Sequence, residues 1–225
     1  MKIALILARS RSKRIKNKNI KVFINKPIIS VTIGLLKKTK IFDKIYVSTD
    51  SNKIAKISKQ SGAEVPFLRN KKYASDTATT NQVVTDFVKK TEKEIDYKYV
   101  CCVYPTSVFI KKKYLIEGYR LLSKKFNFVF AATRYSYPIQ RSFFVKNKRA
   151  KMLNAKSFEK KTQDFRDTYH DAAQFYWAKK EVWKKKKFHF DNNCGVVELP
   201  SNSVQDIDNI LDWKSAIIKF RQQKK

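Results

Sequence analysis

Short apolar runs alternate with amphipathic segments along most of this chain, and that rhythm leaves few folds open to it. Strands are expected at residues 2–8, 44–48, 99–104 and 128–133, and helices at 27–38, 51–61, 79–93 and 113–124. Pro27 suits a helix start, and Gly62 suits the cap after the second helix. Strand–helix–strand alternation implies a largely parallel sheet with right-handed crossovers. Residues 99–104 are apolar without a period of two, as befits a strand buried on both faces. Alternation resumes at 173–178 and 195–199, and a last helix is expected at 209–220.

The first strand runs straight into ILARSRSKRIKNKNI, residues 6–20. Arg9, Arg11, Lys13, Arg14, Lys16 and Lys18 place six cations within ten residues. Open α/β sheets bind ligands just outside the carboxyl ends of their strands, and a triphosphate needs several donors at once. In a chain this basic, a solvated loop is the competing reading. The net charge is +31 over 225 residues, which alone would suggest nucleic acid or an anionic membrane. Only 10 of the 50 basic residues are arginine, and the lysines are scattered, as at 111–113 and 184–187, without aromatic interleaving. No specific nucleic-acid footprint is expected. No apolar run approaches the roughly 20 residues of a membrane span, and the N-terminal apolar run is too short for a secretory signal. Cys101, Cys102 and Cys194 lack metal-ligand spacing and suit reduced thiols in the cytoplasm.

Several further segments carry chemistry. Asp206 and Asp208 in QDIDNILDW stand two apart, so an extended backbone puts both carboxylates on one face. That pair suits a hard divalent cation such as magnesium, which also takes phosphate oxygens. Asp208 equally suits the N-cap of the last helix. VSTD, residues 47–50, follows a strand and fits a turn capped by Asp50 or Ser51; YPTS, 104–107, follows another. FRDTYHDAAQFYW, 165–177, gathers Arg166, His170, Asp171 and Gln174, residue types suited to a polyhydroxylated anion. Neither GxGxxG nor GxxxxGK[ST] is present, which speaks against a classical dinucleotide site or a P-loop. The charged, aromatic-rich, aperiodic stretch at about 135–170 is too long for a structureless loop and reads as an arm inserted in a single domain spanning 1–225, packing on a partner subunit.

LAR-x-x-SKRI-x-x-KNI, VSTD, GAEVPFLR, ASDTA, YPTS and DID occur in one order over about 200 residues. In these the chain resembles the cytidylyltransferases that activate nine-carbon nonulosonic acids. GAEVPFLR, YPIQRSF and YHDAAQFYW are most similar to the pseudaminic acid branch, with the sialic and legionaminic acid branches as alternatives. The resemblance implies a Rossmann-like nucleotidyltransferase, a homodimer, a magnesium ion, and attack of the sugar's anomeric hydroxyl on the α-phosphate of CTP. By motif match Arg9, Ser12, Lys13 and Lys18 would hold the triphosphate beside Asn19, and Arg69, Ala78 and Thr80 would frame the cytosine. Asp206 and Asp208 would hold the metal. Tyr104, Gln140, Arg141, Gln163, Tyr169, His170 and Gln174 would line the sugar pocket. Arg9, Lys13, Lys18 and Asp208 would carry the chemistry. The family often has a Gly-Gly pair at Ser10 and Arg11, a proline at Lys16 and, in its sialic branch, a glutamine at Tyr104. A basic binding protein with a degenerate nucleotidyltransferase fold is the rival reading. Intact Arg9, Lys13, Lys18, Asp206 and Asp208 argue against it.

Overall fold

The computed structural model describes residues 1–185 and 193–223, so part of the lysine run at 184–187 lies outside the described residues. The strands, in chain order, are β1 Lys2–Leu7, β2 Val22–Phe23, β3 Lys26–Pro27, β4 Lys44–Ser48, β5 Tyr99–Val103, β6 Phe128–Arg134, β7 Phe143–Lys146, β8 Arg149–Met152, β9 Tyr169–Lys179 and β10 Cys194–Glu198. The α-helices are α1 Ile28–Thr39, α2 Asn52–Gln60, α3 Thr80–Thr91, α4 Lys112–Lys124, the short α5 Lys180–Trp183, and α6 Ile210–Gln222.

Six strands form one sheet in the order β10-β6-β9-β5-β1-β4. β9 runs antiparallel to both its neighbours; the other pairings are parallel. The carboxyl ends of β1, β4, β5 and β6 therefore share one edge with the beginning of β9. Both faces of the sheet are covered. Ala4 and Ile6 of β1 pack in a core with Ile29 and Ile33 of α1 and Leu115 of α4. Ile3 and Leu5 pack on the other side with Val84 and Phe87 of α3 and Trp183. Cys101 and Cys102 point into opposite cores and are fully buried, and burial pushes both thiols up, away from the reactive thiolate.

A third core decides where the site forms. Ile15 of the basic loop, Phe23, Ile207 and Trp213 of α6 are buried together, with the Phe23 and Trp213 rings edge to face at 5.6 Å. Burying an isoleucine stabilises by roughly 1.5–3 kcal/mol, so Ile15 and Ile207 anchor residues 9–18 and 205–208 against each other.

Side chains set the helix starts. Ser51 Oγ accepts from the Ile54 N–H, and Thr79 and Gln82 form a reciprocal capping box. The cap of α6 is Asn209, whose Oδ1 accepts from Leu211 and Asp212 while Asp212 returns to the Asn209 N–H. Asp208 is therefore not the cap and its carboxylate is left for other work. The segment after β6 is an arm built around the β7–β8 hairpin, which presents Phe143, Phe144 and Val145 to solvent, with Phe144 63% exposed and Phe158 nearby in sequence 72% exposed.

Candidate active site

Side chains, not glycines, hold the loop after β1. Ser10 donates its N–H to Asp50 Oδ1 at 2.7 Å and its hydroxyl to Asp50 Oδ2 at 2.5 Å. Asp50 thus spends its carboxylate on the loop and leaves the capping of α2 to Ser51. Asn19, buried, donates Nδ2 to the Arg9 carbonyl at 2.9 Å, and Asn17 takes a left-handed φ of 54° where the chain turns. Lys18 reaches across to the Ile207 carbonyl at 2.6 Å, tying the loop to the segment that carries Asp206 and Asp208.

The loop's cations already face acids. Arg9 and Lys13 each lie 2.6 Å from Asp76, and Arg14 and Lys18 lie 2.7 and 3.6 Å from Asp208. Lys13 and Arg9 hold the Asp76 carboxyl below the usual carboxylate range. Desolvation, and then the charge of Asp208, push Asp206 up. Two carboxylates that repel each other at the edge of a basic cleft are what a divalent cation relieves. Among the described residues no three acidic, imidazole or thiol groups gather to hold a metal by themselves. The donor set fits a magnesium ion that completes its shell with substrate phosphates and water.

Arg9, Ser12, Lys13, Lys18, Asn19, Arg69, Ala78, Thr80, Tyr104, Asp206 and Asp208 all line one open cleft of about 740 Å³. Arg69 forms its buried end. The guanidinium, 6% exposed, donates to Ser48 Oγ at 3.0 Å, to the Ser48 carbonyl and to the Tyr73 carbonyl at 3.4 Å. Burial lowers its pKa to about 10, which leaves it cationic at neutral pH. Thr80, at the start of α3, shares a 2.7 Å hydrogen bond with the Tyr104 hydroxyl, whose pKa burial raises to about 12.

A second cleft of about 520 Å³ adjoins the first, and Asp206 lines both. Its walls mix apolar surface, from Tyr135, Tyr137, Pro138, Ile139 and Val204, with polar groups from Thr133, Arg134, Ser136, Ser142, His170, Ser201, Gln205 and Asp206. The His170 ring lies 4.7 Å from that of Tyr135. Thr133, 4% exposed, lines this cleft with an Oγ1 that has no hydrogen-bond partner. Such an orphan is rare unless a ligand or water completes it.

The residues expected around a sugar separate into groups. His170 lines the second cleft and Tyr104 the first. Gln174 lines neither. It is 4% exposed and donates Nε2 to the Ser203 carbonyl, so within this chain it supports the segment leading to Asp206. Gln140 donates to the Arg166 carbonyl at 3.2 Å, and Arg141 donates to the Lys160 carbonyl beneath the Phe165 ring. Gln140, Arg141, Gln163 and Tyr169 belong to the arm and its return, outside both clefts. Sequence reasoning missed Asp50, Asp76, Thr133, Arg134 and Tyr176 as site residues, and placed Asp171 only within a segment suited to a polyhydroxylated anion. The apolar-to-polar switch at Thr133 and Arg134, at the end of a buried strand, was the signal available for those two.

The cytidylyltransferase family model matches residues 3–197. The chain belongs to the cytidylyltransferase family. This cytidylyltransferase is 35% identical, over 97% of its length and 96% of the relative's, to the pseudaminic acid cytidylyltransferase of Campylobacter jejuni. It is 29% identical, over 99% of its length and 52% of the relative's, to an N-acylneuraminate cytidylyltransferase of Escherichia coli. Its fold is shared with a CMP-2-keto-3-deoxy-manno-octonic acid synthetase solved with CTP, at a TM-score of 0.75 and 12% identity, covering 99% of this chain and 100% of that one.

Proposed function

We propose that this cytidylyltransferase transfers CMP from CTP to the anomeric hydroxyl of pseudaminic acid and releases pyrophosphate. The observation that carries this is the meeting of two clefts at Asp206, one walled by the basic loop and one by apolar surface interspersed with hydroxyl, imidazole, amide and guanidinium groups. Cytosine lies against Arg69 and the backbone of Ala78 and Thr80. The triphosphate runs along Arg9, Ser12, Lys13 and Lys18, displacing the Asp76 carboxylate that pairs with Arg9 and Lys13. The sugar acid enters the second cleft, where Arg134 and His170 can receive its carboxylate and Thr133 its polar substituents. The anomeric hydroxyl gives up its proton to water as its oxygen bonds the α-phosphorus, and the bond from that phosphorus to the bridging oxygen breaks with its electron pair leaving on pyrophosphate. A magnesium ion held by Asp206 and Asp208 would neutralise phosphate charge during this displacement.

The apolar walls favour a sugar acid with two acyl groups and a deoxygenated tail over the hydroxylated tail of sialic acid. A polar site left unpaired by the wrong sugar discriminates strongly, whereas one methyl group in an apolar pocket is worth about 1–3 kcal/mol. Pyrophosphate release should therefore be fastest with pseudaminic acid, slower with legionaminic acid and slowest with sialic acid. Equal catalytic efficiency with sialic acid, measured side by side, would refute the substrate while leaving the family standing.

The arm supports a homodimer. Phe143, Phe144, Val145 and Phe158 are each exposed large apolar side chains in one segment, and such side chains suit an interface; two-fold pairing is the commonest assembly. Gln140, Arg141, Gln163 and Tyr169 line neither cleft of their own chain, so any contact they make with the sugar acid would be in a partner's cleft. Light scattering should give twice the chain mass for the wild type, and Phe144→Glu should shift it toward monomer. A monomeric wild type at micromolar concentration would sink the dimer. Three cysteines without a disulfide, two of them buried, and the use of CTP suit action in the cytoplasm. The +31 charge is expected to give weak, salt-sensitive nucleic-acid contacts without sequence preference.

A further inference from the structure

Asp171 stands at the seam between the two clefts, and three separate devices hold it there. The first is a bulge. β9 pairs with β6 as Phe130↔Tyr176 and Ala132↔Asp171, so residues 172–175 of β9 stand opposite Ala131 alone. Bulges of this kind re-aim side chains beside active sites. The second is Ala173, whose φ of 49° is left-handed, an uncommon state for a residue with a Cβ. That turn directs the Ala173 N–H to Asp171 Oδ1 at 2.8 Å. The third is Tyr176, a buried side chain whose hydroxyl donates to Asp171 Oδ2 at 2.6 Å. The Tyr176 ring meets that of Tyr104 edge to face at 5.7 Å, and Tyr104 is bonded in turn to Thr80. Asp171 itself is exposed to the first cleft, and the preceding residue, His170, lines the second.

An exposed carboxylate fixed this firmly is not needed by the core. Among the described residues it does not join Asp206 and Asp208 in a three-group metal site. Its charge opposes a phosphate contact. The groups placed around cytosine, Arg69, Ala78 and Thr80, belong to the β1, β4 and α3 side, whereas Asp171 lies beyond β5 on β9. Each carboxylate oxygen still has acceptor capacity after its internal bond.

We propose that Asp171 is a specificity-determining residue that accepts a hydrogen bond from a neutral donor of the sugar acid, a hydroxyl or an acylamino N–H, and so orients the anomeric oxygen toward the α-phosphate. This rests on the sugar-acid reading given above. Tyr176 and the Ala173 N–H act through Asp171 and are positioning groups.

The test compares Asp171→Asn and Tyr176→Phe with wild type, using CTP, magnesium and a panel of pseudaminic, legionaminic and sialic acids. Asp171→Asn should raise the KM for the preferred acid about tenfold or more, the range of a lost charge-assisted hydrogen bond. The KM for CTP should stay within twofold, and the ratio of catalytic efficiencies across the panel should compress. Tyr176→Phe keeps the carboxylate and loosens one anchor, so it should shift the same quantities in the same direction by less; it carries the test if Asp171→Asn fails to fold. An unchanged panel ratio in an active variant overturns the inference, as does a parallel rise of both KM values with a lowered Tm. A wild type that releases no pyrophosphate with any acid of the panel overturns the parent reading and this one together. Wild-type turnover with an unaltered Asp171→Asn ratio overturns this one alone.

Discussion

Asp208→Asn is expected to lower turnover by about a hundredfold or more while leaving the fold intact. The substitution keeps the side chain's shape and removes its charge. Helix α6 should not notice, because Asn209 and Asp212 cap it and Asp208 contributes only its backbone N–H, at 2.9 Å from Asp212 Oδ2. What is lost is the charge that pairs with Arg14 at 2.7 Å and one of two carboxylates in the proposed magnesium site. The Arg14 pair is exposed, so it is worth at most about 1 kcal/mol. A metal's stabilisation of transferring phosphate is worth several kcal/mol, and about 1.4 kcal/mol corresponds to tenfold in rate. The metal contribution should therefore dominate. The check is pyrophosphate release against magnesium concentration, with Tm measured in parallel. Full activity and an unchanged magnesium dependence in the variant would show that the metal is held elsewhere.

The distinction between cap and ligand was partly legible. Asp208 and Asn209 are both favoured N-cap types, but only Asn209 has an acidic residue three positions on, Asp212, to close a capping box. The alternation of strands and helices was legible too, because the parallel strands β1, β4, β5 and β6 are largely buried on both faces and read as apolar runs. The direction of β9 was not, since an apolar run reads alike whichever way it pairs. The bulge at 172–175 also broke the period of two, so the side chains of His170, Asp171 and Gln174 could not be assigned to faces by counting. Gln174 accordingly falls inside the protein, against Ser203, and Asp171 in the cleft. Asp50 shows a different limit. Its partner, Ser10, is 40 residues away, and only the adjacency of β1 and β4 brings them together. Where the family often has a Gly-Gly pair, this chain has Ser10 and Arg11, and the Ser10–Asp50 contact fixes the loop in a way that no local pattern could announce.

Arg9→Ala and Lys13→Ala should each lower kcat/KM for CTP by about tenfold or more. Both cations pair with Asp76, so the gain from binding phosphate is offset by the loss of that pair. The offset is small. Lys13 is 80% exposed, and both pairs belong to the solvent-screened class worth about 0–1 kcal/mol, whereas a hydrogen bond to a charged group contributes about 1.5–3 kcal/mol. Arg9 should matter more, because its backbone is fixed by Asn19 and its guanidinium is less exposed, at 38%. Asp76→Asn separates the two effects. It removes the competing anion and keeps both cations, so CTP affinity should hold or rise, and the apparent KM for CTP should become less dependent on salt. Initial rates at limiting CTP across a salt series distinguish these outcomes. Turnover within twofold of wild type for both alanine variants would remove the basic loop from triphosphate binding. A large loss in Asp76→Asn would mean that Asp76 orders the loop for the nucleotide instead of competing with it.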